Sequence, residues 1–208
     1  MANSEMNLIK KRINGLPTGS AFVVSDFTDI AGYDNAKICL QRLEHDGEIR
    51  RVIRGIYDKP CFLKLLNEYS SPHINEVANA IARNYNWQIA PIGLTALNLL
   101  GLSTQVVNSY EYFSSGQYKT YQIGKITISF KHKSSKELLN LSFKSLLVVQ
   151  AIKELGTDLT EKQIAKISDN LSSKEKSDLL NEACGVTKWI YEIIKKICNK
   201  ENQKCLTY

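Results

Sequence analysis

The chain has 208 residues, 43% of them apolar and 23% charged, with 27 basic against 21 acidic side chains and a net charge of +6. This is an ordinary globular composition, long enough for one large domain or a small domain beside a larger one, and it excludes a disordered or low-complexity protein. No apolar run approaches the ~20 residues of a membrane helix, and residues 1–13 lack the apolar stretch of a signal peptide, so a cytoplasmic protein without membrane contact is expected.

Met6, Ile9 and Ile13 share one face of a first helical pattern. Gly15-Leu16-Pro17-Thr18-Gly19 breaks it, and Phe22-Val23-Val24 reads as a short strand. Ser25 or Asp26 then caps a short helix through Phe27, Ile30 and Ala31 that ends at Gly32. Asp26 and Asp29 at its start favour the helix dipole. Asp34 or Asn35 caps the next helix, 34–46. Ala36, Leu40 and Leu43 form its apolar stripe with Cys39 beside them. Ile38, Gln41, Arg42 and His45 are left facing outward, flanked by Asn35 and Lys37. Gly47 stops this helix, and 48–58 reads as a hairpin turning at Arg54-Gly55. All six arginines lie within the first 83 residues, and Arg50, Arg51 and Arg54 fall on the hairpin.

Helix, breaker, short helix, turn, longer helix, basic hairpin is the order of a winged helix-turn-helix. A helix of about ten residues fits the B-DNA major groove, where polar side chains read base edges. A hairpin carrying arginines suits the adjacent phosphates, because guanidinium contacts them bidentately. The candidate DNA-binding residues are therefore Asn35, Lys37, Gln41, Arg42, His45, Arg50, Arg51 and Arg54, with double-stranded DNA as partner. Glu44, Asp46 and Glu48 dilute the charge, so a modest affinity is expected.

Residues 61–70 read as a linker, partly helical. An amphipathic helix follows, with Ile74, Val77, Ala78, Ile81, Ala82 and Tyr85 on one face. Trp87 to Ala90 reads as a strand and Gly93 to Leu100 as a second apolar helix. Tyr110 to Phe113, Gln117 to Ile123 and Ile126 to Lys133 alternate, which predicts a three-stranded β-meander. From Phe143 onward the pattern is helical. Thr160-x-x-Gln163 and Ser172-x-x-Glu175 are capping boxes opening two helices, a last helix spans about 187–199, and 200–208 should fray. The expected fold is α+β. It comprises a winged helix-turn-helix over 1–65 and, over 66–208, an α+β domain with a small antiparallel sheet and C-terminal helices.

The stretch Leu43-x-x-x-Gly47-x-Ile49-x-Arg51-x-x-x-Gly55-Ile56-Tyr57-x-x-Pro60 resembles the N-terminal domain of AbiEi-type antitoxins of bacterial abortive-infection, type IV toxin–antitoxin systems. The resemblance continues through Ile81-Ala82-Arg83 and Gly93-x-x-Ala96-x-Asn98-x-Leu100-Gly101-Leu102-Ser103-Thr104-Gln105, and covers roughly residues 5–155. It implies a protein with two tasks. The winged domain would bind inverted repeats upstream of its own operon and repress it. The C-terminal domain would counteract a nucleotidyltransferase-like toxin.

Two other readings stand beside this one: a stand-alone winged-helix repressor whose C-terminal domain binds an effector or dimerises, and a nucleic-acid-processing enzyme. The enzyme reading has little support. Tyr110, Tyr112, Tyr118 and Tyr121 crowd the meander and His132 ends it, but tyrosines on a half-buried sheet are ordinary packing. No nucleophile–base order, phosphate-cradling glycine loop or carboxylate pair is present. Cys39, Cys61, Cys184, Cys198 and Cys205 form no C-x-x-C pair, and His45, His73 and His132 share no ligand spacing, so no metal or other cofactor is expected.

Overall fold

Ile9 and Ile13, four residues apart, are the buried face of α1 (Ala2–Gly15), while Lys11 and Arg12 on its other side reach solvent. The computed structural model describes residues 2–134 and 141–199, so the expected fraying of 200–208 lies outside the described residues. The chain is a mixed α+β protein that divides into two compact units, 1–87 and 88–208.

Unit 1 continues with β1 (Ala21–Val23), a 3-10 turn (Val24–Phe27), α2 (Tyr33–His45), β2 (Arg50–Ile53) and β3 (Ile56–Asp58). The three strands pair antiparallel in the order β1-β3-β2, with Phe22 opposite Tyr57. Gly55, at φ 82°, closes the β2–β3 hairpin in the left-handed region that glycine enters without a steric cost. A register shift between Arg51 and Ile53 marks a bulge. Phe22 stacks on Tyr57 with ring centroids 6.4 Å apart and meets Phe27 edge-on at 5.6 Å. Leu40 and Leu43 of α2 complete this core, each at most 1% exposed.

Four expectations for this unit are corrected. The short helix over 25–32 is a 3-10 turn only four residues long. Val24 and Phe27, three apart, are both buried, the spacing a 3-10 turn aligns, and Asp26 folds back to accept the Val23 N–H at 3.0 Å. Asp26 stands in the first turn as expected and also pairs with Arg83, whereas Asp29 falls beyond this turn and pairs with Arg12 (below). The stretch 61–70 is a second hairpin, β4 (Phe62–Leu63) with β5 (Glu68–Tyr69), closed by a Leu66 N–H to Leu63 carbonyl bond and by Asn67 at φ 53°. The boundary also lies later than 65/66. Helix α3 (Ile74–Tyr85) packs on β1 and β3, with Ile74, Val77, Ala78, Ala80, Ile81 and Ala82 buried, and belongs to unit 1. Amphipathic spacing gave its buried face correctly except for Tyr85, which stays 43% exposed.

Unit 2 comprises β6 (Ile89–Pro91), α4 (Gly93–Leu99), β7 (Ser109–Ser114), β8 (Lys119–Ile123), β9 (Ile126–His132), α5 (Phe143–Leu155), α6 (Glu161–Asp169), α7 (Ser173–Glu182) and α8 (Lys188–Asn199). The expected meander is corrected here. The sheet has four strands in the order β6-β7-β9-β8, and β7 runs parallel to β9 instead of pairing with β8. Alternation reports which face of a strand is buried and says nothing of its neighbour. Tyr112 of β7 sits opposite Phe130 of β9, both nearly fully buried and stacked 5.7 Å apart, which seals the two strands side by side.

α5 packs on β6 and α4, and Val148, Ile152, Ile167, Leu179, Ile194 and Ile197 join the four C-terminal helices in one core. Ser142, Thr160 and Ser172 accept the N–H three residues ahead, and Gln163 and Glu175 return the bond, so both capping boxes form. Each such cap contributes about 1 kcal/mol. The returning bonds from the Ser172 N–H and hydroxyl hold the Glu175 carboxyl below its ordinary pKa.

The segment Gly101-Leu102-Ser103-Thr104-Gln105 has a structural explanation. Leu102 N–H reaches back to the Leu97 carbonyl and Gly101 N–H to that of Asn98, with Gly101 at φ 65°, which ends α4 in a left-handed cap. The Asn98 amide then donates to the Gln105 carbonyl at 2.9 Å, and Ser103 Oγ accepts the Gln105 N–H. Lys166 packs over Gly101 so closely that a Cβ there would meet its Cε at 3.3 Å.

Candidate nucleic-acid interface

Helix α2 positions its polar residues by burying their opposites. Ala36, Cys39, Leu40 and Leu43 are buried, so Lys37, Gln41 and His45 at i, i+4 and i+8 stand in one exposed row, with Ile38 and Arg42 in the next. The side chains of Lys37, Gln41, Arg42 and His45 make no hydrogen bond or ion pair among the described residues. Ile38 is 46% exposed and Tyr33, at the helix start, 54%, so the face is amphipathic in itself. Asn35 is also exposed, but its amide is turned to α1, where it donates to Glu5 at 3.4 Å. Burial pushes the Cys39 thiol pKa up, as it does that of the Tyr57 hydroxyl, consistent with both being core groups.

The structure divides the arginines into two sets. Arg12 binds Asp29 through two bonds of 2.7 and 2.6 Å, and that bond holds the Asp29 carboxyl below its ordinary pKa. Arg83 of α3 binds Asp26 and the Ala21 carbonyl. Arg50 is the correction that matters for the site. Its guanidinium holds Asp58, which is fully buried, through bonds of 3.0 and 2.5 Å, and its remaining nitrogen donates to the Ser70 carbonyl at 2.8 Å. It sits opposite Asp58 across the hairpin and spends all three guanidinium nitrogens on these partners, with 31% of its side chain exposed, so its role in this structure is internal support of the hairpin. Arg42, Arg51 and Arg54 are exposed and form no ion pair among the described residues.

This sorting also consumes acids. Asp26, Asp29 and Asp58 pair with arginines, and Glu48 pairs with Lys10 of α1. Unit 1 carries eleven basic and ten acidic residues, so its case as an anion-binding surface rests on position and not on net charge. The paired cations are largely inward or between elements. Those left free among the described residues are Lys37 and Arg42 on α2, Arg51 and Arg54 on the β2–β3 hairpin, Lys11 on α1 and Lys64 on the second hairpin.

The sheet of unit 2 holds no comparable constellation. Lys131 pairs with Glu111 at 2.9 Å, and the His132 ring Nδ1 lies 2.8 Å from the Gly116 carbonyl oxygen, near Tyr118. An open cleft of about 680 Å³ lies beside α4, β7 and α5, with Thr95, Glu111, Phe113, Gln150, Lys153 and Glu154 among its walls. Sequence reasoning missed this cleft, whose residues come from three separated segments. It also missed Asp58 as the partner of Arg50, although pairing across the Arg54-Gly55 turn was the signal that could have found it.

The chain is thus an α+β protein with an exposed polar helix face and a basic hairpin in its first unit. It belongs to a family of unknown function, DUF6088, whose model matches residues 8–179. Among curated proteins, none matches it. Among solved structures it is similar to the RV2827C protein from Mycobacterium tuberculosis, at 10% identity and a TM-score of 0.39 over 92% of this chain and 75% of that one.

Proposed function

We propose that unit 1 is a winged helix-turn-helix that binds double-stranded DNA, and that the chain is a transcriptional autorepressor and antitoxin. The observation that carries the DNA reading is the sorting of polar side chains. Lys37, Gln41, Arg42 and His45 on α2, with Arg51 and Arg54 on the hairpin, are exposed and unengaged among the described residues, whereas Arg12, Arg50 and Arg83 are locked in ion pairs. The order α1, β1, short turn, α2, β2, β3 with strands arranged β1-β3-β2 supports it, because that layout presents one helix to a major groove and one hairpin to the flanking phosphates. On this reading α2 reads base edges, Arg51 and Arg54 contact phosphates, and Arg50 supports the hairpin from within. The antitoxin task, directed against a nucleotidyltransferase-like toxin, rests on the resemblance of residues 5–155 to AbiEi-type proteins.

A second reading, a repressor controlled by a small effector, is favoured by the cleft of unit 2, which has the volume of a ligand pocket. One pair of fragments tests both. Residues 1–87 should bind the chain's own promoter, whereas 88–208 should not bind it yet should restore growth to cells expressing the neighbouring toxin. A folded 88–208 fragment that gives no rescue, while the full chain rescues only when it binds DNA, would transfer the assignment to the repressor.

A further inference from the structure

The second hairpin of unit 1 is bare. Leu65 is 101% exposed, Leu66 67%, Tyr69 57% and Phe62 46%. No side chain from 62 to 69 is buried, and each strand is two residues long. A ladder this short does not hold itself together in water. Its fixed point is its root, where Ser70 N–H donates to the Cys61 carbonyl at 2.8 Å and Arg50, already clamped on Asp58, donates to the Ser70 carbonyl. The root is anchored and the apolar tip has no cover among the described residues, which is how an interaction element differs from a loose loop.

Charge and area select the partner. Lys64 and Glu68 are the only charged residues between 61 and 70, so the hairpin is neutral. A nucleic acid or an anionic membrane would call for surplus cations. Opposite charges on one small element suit a twofold contact, where Lys64 of one copy meets the partner's Glu68. Phe62, Leu63, Leu65, Leu66 and Tyr69 expose roughly 600 Å² per copy, so two copies meeting over them cover on the order of 1,000 Å², the size at which specific interfaces begin. The unpaired edges of the short ladder add backbone groups for strand-to-strand pairing.

We propose that the Phe62–Tyr69 hairpin is a self-association element, packing against the same hairpin of a second copy about a twofold axis. This goes beyond the DNA reading and does not depend on it. The test is the mass of the full chain in solution, by sedimentation across the micromolar range. The wild type should be a dimer, and Leu65→Ser with Leu66→Ser should be a monomer that keeps the wild-type circular dichroism spectrum, since both leucines are exposed in the fold; only the concentration-dependent part of the Tm should be lost. Lys64→Glu should weaken the dimer, and adding Glu68→Lys should restore it. A monomeric wild type, or a leucine variant that remains dimeric, overturns the proposal. So does a monomeric wild type whose leucine variant loses binding to duplex DNA or to phosphatidylglycerol vesicles, since the tip would then serve that partner.

Discussion

Arg50→Ala should destabilise unit 1 severely, by about 3–5 kcal/mol, because it leaves the Asp58 carboxylate buried without its counter-charge. The Arg50 side chain keeps 31% of its surface exposed, which lets water reach the cavity and places the loss nearer the lower figure. For a unit of this size that is a fall in Tm of roughly 10 °C or more. The same change releases the Ser70 carbonyl, so the root of the second hairpin should lose order. Arg50→Ala/Asp58→Asn should recover part of the loss, since the amide is uncharged. Thermal unfolding of the wild type and these two variants by circular dichroism checks this. A variant with unchanged Tm would mean that Arg50 is not the internal support of the hairpin.

Gln41→Ala and Arg42→Ala should act in the opposite manner, leaving Tm unchanged and altering the choice of DNA sequence. Both side chains are exposed on α2, and neither bonds to a described residue. A side chain that contacts a base edge bidentately contributes about 1–3 kcal/mol of discrimination. Each substitution should therefore cost roughly fivefold to a hundredfold in affinity for the preferred operator, with little change for unrelated duplexes. The readout is competition binding against a panel of single-base operator variants. Equal losses on every sequence would assign these residues to the backbone instead.

Local rules made much of this fold legible. The stripe of Ala36, Leu40 and Leu43 fixed the outward face of α2, and two capping boxes marked the starts of α6 and α7, because these signals lie within one or two helical turns. What escaped was non-local. α3 has a clear apolar face, but spacing does not say whether it covers the sheet before it or the one after it. The pairing of β7 with β9 is set by Tyr112 against Phe130, eighteen residues apart. Residues 61–70 carry neither glycine nor proline, and Leu63, Leu65 and Leu66 suit a helix as well as a hairpin, so only Asn67 hinted at the turn. Within the candidate site the exposed residues of α2 were readable. The role of Arg50 was not, because an arginine held by a buried carboxylate and one free for phosphate look alike until the strand register is known.

The central claim is that the exposed cations of α2 and the β2–β3 hairpin meet DNA, and the salt dependence of binding tests it most directly. Binding of the full chain to its promoter duplex should weaken linearly on a log–log plot against salt, since each neutralised phosphate releases counterions and contributes a slope of about −0.9. Arg51→Ala/Arg54→Ala should retain the wild-type Tm, bind more weakly to every duplex and lower the slope by about 2. A double variant that binds with the wild-type affinity and slope at every salt concentration would contradict the account.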